Sequence, residues 1–181
     1  LAMGGLLKER QKQILASSVQ KAQERVQNSL VSIFNQERPF LDYFKEASFP
    51  VPQLILHVAE YVLNEQLKKE IKKDVLDEAR IKRVLEELKN IGGKTYGDIL
   101  KNMLTKRLSL LMDDYAADAA DTAKAAKTAS FLTAAKKLAL PVDTYKPGNI
   151  FYALLRDMPA DSRASAAVKN LCIALDIDSN N

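Results

Sequence analysis

From Leu15 onward, the apolar residues Leu15, Val19, Ala22, Val26, Leu30 and Ile33 follow one another at steps of four, three, four, four and three. That spacing puts them on one stripe of a long α-helix and leaves Lys, Gln, Glu and Arg for the other faces. A stripe so narrow needs a partner, and the expected partners are other helices of the same chain. The same period returns further on. Leu56, Ala59, Leu63, Leu67 and Ile71 share one helical face after Gln53. Leu76, Ala79, Val84, Leu85 and Leu88 read as the inward side of a helix over Asp74 to Ile91. No stretch alternates apolar and polar residues as a half-buried strand does.

Breaks between these segments are written in proline and glycine. Pro39 is placed to open a second helix, because its missing N–H costs nothing in a first turn. Phe40, Leu41, Tyr43 and Phe44 then supply a dense apolar surface. Phe49-Pro50-Val51-Pro52 stops that helix, since each proline disfavours helical geometry in the residue before it. Gly92-Gly93 ends the helix before it, and another is expected from about Tyr96 to Ala117. The alanine-rich stretch AADAADTAKAAKTASFLTAAKKLAL suits a helix packed closely on a neighbour, and it ends at Pro141. PVDTYKPG reads as a turn into a helix over Asn149 to Met158. After Pro159, Asp161 or Ser162 is placed to cap a last helix over Ala164 to Leu175. The expected fold is all-α: a bundle of seven or eight mostly antiparallel helices.

Composition agrees. The 181 residues are 47% hydrophobic and 28% charged, with only six glycines and six prolines, values that suit a single helical domain. A chain of this length buries enough surface to hold together without a disulfide or a metal. Cys172 is its one cysteine and forms no internal disulfide, so nothing points to an oxidising compartment and a cytoplasmic setting is expected. No run of about 18 apolar residues exists, so no membrane span is expected. Leu1 to Gly5 read as a cut or appended end before a single helical domain over 6–181, a piece of a longer polypeptide whose missing part lies upstream. The net charge is +4, but the 27 basic and 23 acidic residues are interleaved. Lys68, Lys69, Lys72 and Lys73 stand among Glu65, Glu70, Asp74, Asp77 and Glu78, with no aromatic residues between them to stack bases. That run reads as a solvated helix face rather than a phosphate-binding surface.

Several features touch on chemistry, and each has a structural reading. His57 and Glu60 form a His-x-x-Glu pair, the reverse of the metal-binding order of carboxylate bundles, with no second pair to complete a site. Gly93-Lys94-Thr95 resembles the tail of a phosphate loop, but Leu88 stands where the loop's first glycine belongs and a helix precedes it. Asp113, Asp114, Asp118 and Asp121 cluster where a helix junction is expected. Cys172 sits between Leu171 and Ile173 as an inert buried thiol. No catalytic residue, metal ligand or cofactor site assembles from the sequence. Tyr145, Asn149 and Tyr152 either offer aromatic and amide groups to a sugar or fasten a helix start to the bundle.

The block RPFLDYFKEASFPVPQLILHVAEYVLNEQLKKEI resembles the helical C-terminal domain of bacterial glycoside hydrolase family 57-like proteins, relatives of α-amylase and α-mannosidase. FLTAAKKLALPVDTYKPGNIFYALL is similar to that domain's second recurrent stretch, and together the blocks cover about a third of the chain. The family pattern carries tryptophan where this chain has Tyr145 and glutamine where it has Gly148, so Asn149 and Tyr152 match it best. The resemblance implies a non-catalytic accessory domain that buttresses or walls an upstream catalytic barrel in the same polypeptide, with polysaccharide contact through the parent enzyme. Two alternatives stay open: a stand-alone helical module that docks protein partners through an exposed apolar stripe on the first helix, and, less favoured, a weak nucleic-acid binder using Lys68 to Lys73.

Overall fold

The computed structural model describes residues 2–178, with side chains over 8–178. The expected cut end over Leu1 to Gly5 therefore lies outside the described side chains. Among the described residues there are eight helices and no strand, an all-α bundle. They are α1 (Ala2–Glu46), α2 (Gln53–Ile71), α3 (Glu78–Asn90), α4 (Gly97–Ala117), α5 (Thr122–Lys137), α6 (Tyr145–Asp157), α7 (Ala160–Arg163) and α8 (Ala166–Leu175). Among the described residues no helix is long and apolar enough to cross a membrane.

The chain divides into two compact units, the first over Leu1–Glu65 with Glu87–Lys94, the second over Gln66–Glu86 with Thr95–Asn181. In the first unit α1 differs from expectation. It is one continuous helix of 45 residues, and Pro39 lies inside it rather than opening a new one. The proline leaves the Asn35 carbonyl without its amide four residues on, a cost that helix interiors usually avoid. Burial of Phe34 and Leu41 on either side of Pro39 gives a packing return for keeping the helix intact. Ala59, Val62, Leu63 and Leu88 complete the buried apolar set of this unit, and Arg38 pairs with Glu87 at 2.8 Å. The expected cover for the apolar stripe of α1 is missing: Leu15, Val19, Val26 and Ile33 remain exposed.

The second unit is centred on α4, whose Leu100, Leu104, Leu108, Met112 and Tyr115 recur at steps of four, four, four and three and are all buried. α4 packs against α5 and α6, and α5 packs against α8. Ala125, Ala129 and Ala135 let α5 approach its neighbours closely, as the alanine-rich sequence implied. On α3, Ile81 and Val84 are buried in this unit and Leu88 in the first, while Ala79 is exposed, contrary to expectation. Steps of three and four from Ile81 leave Ala79 off their row.

Four helices end on a left-handed residue: Ser48 (φ 55°), Gly92 (φ 71°), Ala139 (φ 51°) and Asp176 (φ 58°). Each is followed by an amide that reaches back to the carbonyl five residues earlier, as in Phe49 N to Phe44 O and Leu140 N to Ala135 O, both 2.9 Å. This closure satisfies carbonyls that a helix end leaves unpaired. Only Gly92 carries the residue type that announces it. The last helix is capped by Ser165, whose hydroxyl accepts from Val168 N, and neither Asp161 nor Ser162 caps it.

Candidate functional site

α6 begins four residues earlier than expected, at Tyr145, so the tyrosine joins Asn149 in the helix instead of lying in the turn before it. Pro147 is tolerated there because a first-turn residue has no intrahelical N–H bond to lose. Thr105 Oγ1 accepts from Asp143 N at 3.0 Å, and Asp143 Oδ1 accepts from Tyr145 N at 3.0 Å, which fixes the entry to α6 against α4. Pro147, Phe151 and Leu155 face inward. Tyr145, Asn149 and Tyr152, at steps of four and three, therefore share the opposite face, and all three are exposed. The three residues singled out by sequence come together on one surface, with the two rings two turns apart.

His57, Glu60 and Gly93-Lys94-Thr95, read as separate features, prove to be parts of one arrangement in the first unit. Glu60 Oε1 accepts from Lys94 N at 2.8 Å, and His57 Nδ1 lies 3.5 Å from Glu60 Oε2. The fully buried Asn64 donates through Nδ2 to Lys94 O at 2.9 Å and to Glu60 O at 2.8 Å. A Cβ on Gly93 would meet Glu60 Cγ at 3.0 Å, so glycine permits the loop's close approach to α2. The loop's backbone is held by a carboxylate, the opposite of what a phosphate cradle offers.

The aspartates resolve in the same manner. Asp121 caps α5 by accepting from Ala123 N at 2.8 Å and Lys124 N at 3.3 Å, and Asp114 pairs with Lys124 at 3.2 Å. In the basic run, Lys73 pairs with Glu70 at 2.5 Å and Lys68 lies over the Tyr96 ring, 5.5 Å from its centre. Among the described residues no group of three His, Cys, Asp or Glu side chains could hold a metal ion. Cys172 is buried, and burial pushes its thiol up from the ordinary 9.0, which keeps it protonated and unreactive.

Family models, curated proteins and solved structures give no match to this chain.

Two features escaped the sequence reading. Arg107 lies beside the Leu104 and Leu108 row of α4, donates to Ile71 O and to Asp74 O, and stacks on Phe131 with 4.9 Å to the ring centre. It ties the end of α2 and the loop after it to α4. Burial lowers its pKa from the ordinary arginine value, opposed by the nearby Asp74 carboxylate, and the guanidinium stays charged. The signal was present in the sequence, since an arginine three after Leu104 and one before Leu108 lies beside an apolar stripe. The second feature is the groove that the exposed α1 stripe, foreseen in the interaction-module alternative, forms with α2. Val19, Ala22, Gln23, Val26 and Gln27 form, with Tyr61 and Glu65 of α2, an open groove of ≈ 560 Å³. Further along α1, Pro39, Phe40, Tyr43 and Phe44 line a second apolar hollow of ≈ 470 Å³.

Proposed function

We propose that this chain is a non-catalytic helical docking domain that serves a carbohydrate-active enzyme of the glycoside hydrolase family 57 type. In this reading it packs beside the catalytic barrel and walls its cleft. One observation carries the docking role. Leu15, Val19, Val26, Ile33, Phe40 and Tyr43 of α1 are each exposed by between 43% and 66%. A soluble protein rarely leaves so many large apolar groups on one helix unless something covers them. The non-catalytic role draws support from the occupation of the reactive side chains, with Glu60, Asp114 and Asp121 each engaged in holding the fold. The enzyme class draws support from the two sequence blocks that resemble the accessory domain. Tyr145, Asn149 and Tyr152 form the surface assigned to polysaccharide, with the exposed rings as stacking faces and the amide as hydrogen-bonding group.

The alternative of a stand-alone protein-interaction module uses the same α1 surface and differs only in what lies upstream. Two measurements test the proposal. The coding frame before Leu1 is expected to encode a barrel hydrolase, and a frame with none removes the enzyme from the account. The isolated chain is expected to leave α-glucans and α-mannosides intact, whereas the longer polypeptide loses activity when this segment is deleted. Turnover by the isolated chain contradicts the proposal.

A further inference from the structure

We infer that the exposed face of α1 pairs with the same face of a second copy of this chain, antiparallel and centred on Ser29. The inference rests on the reading of α1 as a docking face and assigns that face to a second copy, which leaves the barrel to pack on another surface of the domain.

The argument begins with the period. Val19, Val26, Ile33 and Phe40 recur every seven residues, and Leu15, Ala22, Ser29, Gln36 and Tyr43 recur every seven in between. These are the two inward positions of a heptad repeat sustained over four heptads, the pattern of a helix that winds on another helix. None of the nine residues is charged, and all but the half-buried Ala22 are exposed. The seam therefore asks for a helix of matching period. α1 itself is such a helix, with 45 residues to offer.

Area permits it. Six large apolar side chains exposed to about half their surface present roughly 500 Å² per copy, so two copies bury roughly 1,000 Å², the lower bound for a specific interface. Charge along the helix does not favour a lipid surface. Lys8, Arg10, Lys12, Lys21, Arg25, Arg38 and Lys45 are offset by Glu9, Glu24, Glu37, Asp42 and Glu46.

Side-chain size decides the direction. A parallel pair sets Ala22 against Ala22 and Ser29 against Ser29 in a thin waist, then Phe40 against Phe40 and Tyr43 against Tyr43. It also sets Lys12, the next inward position, against Lys12. Turning one helix round about Ser29 sets Leu15 against Tyr43, Val19 beside Phe40, Ala22 against Gln36 and Val26 beside Ile33 of the second copy. Phe40 and Tyr43 then meet Val19 and Leu15 instead of one another, and Ala22 meets the longer Gln36, so side-chain volume is spread more evenly along the seam, with Ser29 against Ser29 in either direction. Lys12 comes level with Glu46 of the second copy instead of another lysine. The groove lined by Val19, Ala22, Val26 and Tyr61 receives the second copy's Ile33 to Phe40 segment. The arrangement is two-fold symmetric and closed, so it stops at a dimer.

Disulfide mapping of the full chain tests both the pairing and its direction. An Ala22→Cys chain mixed with a Gln36→Cys chain under a mild copper oxidant is expected to give the mixed disulfide, while Ala22→Cys alone stays unlinked. Buried Cys172 does not compete. Linkage of Ala22→Cys to itself overturns the antiparallel direction, and absence of the mixed disulfide overturns the pairing. A photoreactive residue placed at position 26 in cells separates this failure from failure of the docking reading. An adduct at twice the 20.2 kDa chain mass is expected. An adduct with a polypeptide of another mass overturns self-pairing and leaves docking, and no adduct of any mass overturns both.

Discussion

Tyr115 is fully buried on α4, tilted against Phe151 with ring centres 6.4 Å apart, and no protein group among the described residues accepts or donates at its hydroxyl. Leaving such a group unpaired costs about 1–3 kcal/mol, so Tyr115→Phe is expected to leave stability unchanged or raise it by about 1 kcal/mol in urea denaturation. A loss larger than that would reveal a partner for the hydroxyl. Burial also raises the pKa of Tyr115 from 10.0 and that of Cys172 from 9.0. Both groups hold their protons longer folded than unfolded, so their contribution is fully present below pH 9 and is lost as pH rises through the raised values. A Tyr115→Phe, Cys172→Ala chain should show a flatter decline of unfolding free energy above about pH 9. Ala139 holds φ at 51° with its side chain exposed, a conformation that disfavours every residue with a Cβ. Ala139→Gly is expected to raise the thermal midpoint, with a gain of up to about 1 kcal/mol after glycine's own chain entropy is subtracted. Asn64 carries the opposite sign. Its buried amide satisfies two carbonyls, and Asn64→Ala should cost about 2–3 kcal/mol and loosen the Gly92–Lys94 loop.

At the scale of elements, Arg107 carries a load that no neighbour can replace. Two carbonyls, one at the end of α2 and one in the loop beyond, take its planar fork while the fork lies on Phe131. Lysine has neither the fork nor the stacking face, so Arg107→Lys is expected to lose about 1–2 kcal/mol and to speed amide exchange over 71–77. Equal exchange in both chains would contradict that role. Most elements were legible beforehand because their apolar steps of three and four are unbroken, as in α4 and α5. The misread boundaries share a cause: competition between a local rule and packing that the rule does not contain. Proline favours a first turn, yet Phe34 and Leu41 hold α1 together across Pro39. Ser48, Ala139 and Asp176 close helices in a conformation that normally advertises itself with glycine, so the sequence marked those ends through Pro50 and Pro141 or the end of the apolar period, and not through the closing residue itself. The contact of Glu60 and Asn64 with Lys94 spans about 30 residues, beyond any local spacing rule. For α6 the facing of Tyr145, Asn149 and Tyr152 could have been read from their steps, had its start been placed at Tyr145.

For the whole molecule, the all-helical bundle followed from the period of its apolar residues and from the lack of any alternating stretch. What the period could not supply was the identity of the surface that covers α1. A periodic stripe states that a helix face is made for contact, and it is silent on whether the contact lies within the chain. The structure answers half of this, since the stripe divides lengthwise into Phe34 and Leu41, which are buried, and the row from Leu15 to Tyr43, which is not. That uncovered row is the feature on which the docking account depends. Sedimentation equilibrium on the wild-type chain and on Val26→Glu tests it most directly, with helix content followed by circular dichroism. The wild type is expected to approach twice 20.2 kDa by about 100 µM, and Val26→Glu to stay at a single chain mass with its helices intact. A wild-type chain that stays monomeric at that concentration would contradict the self-pairing of α1, and a Val26→Glu chain that unfolds because Val26 belongs to the core would contradict the docking account itself.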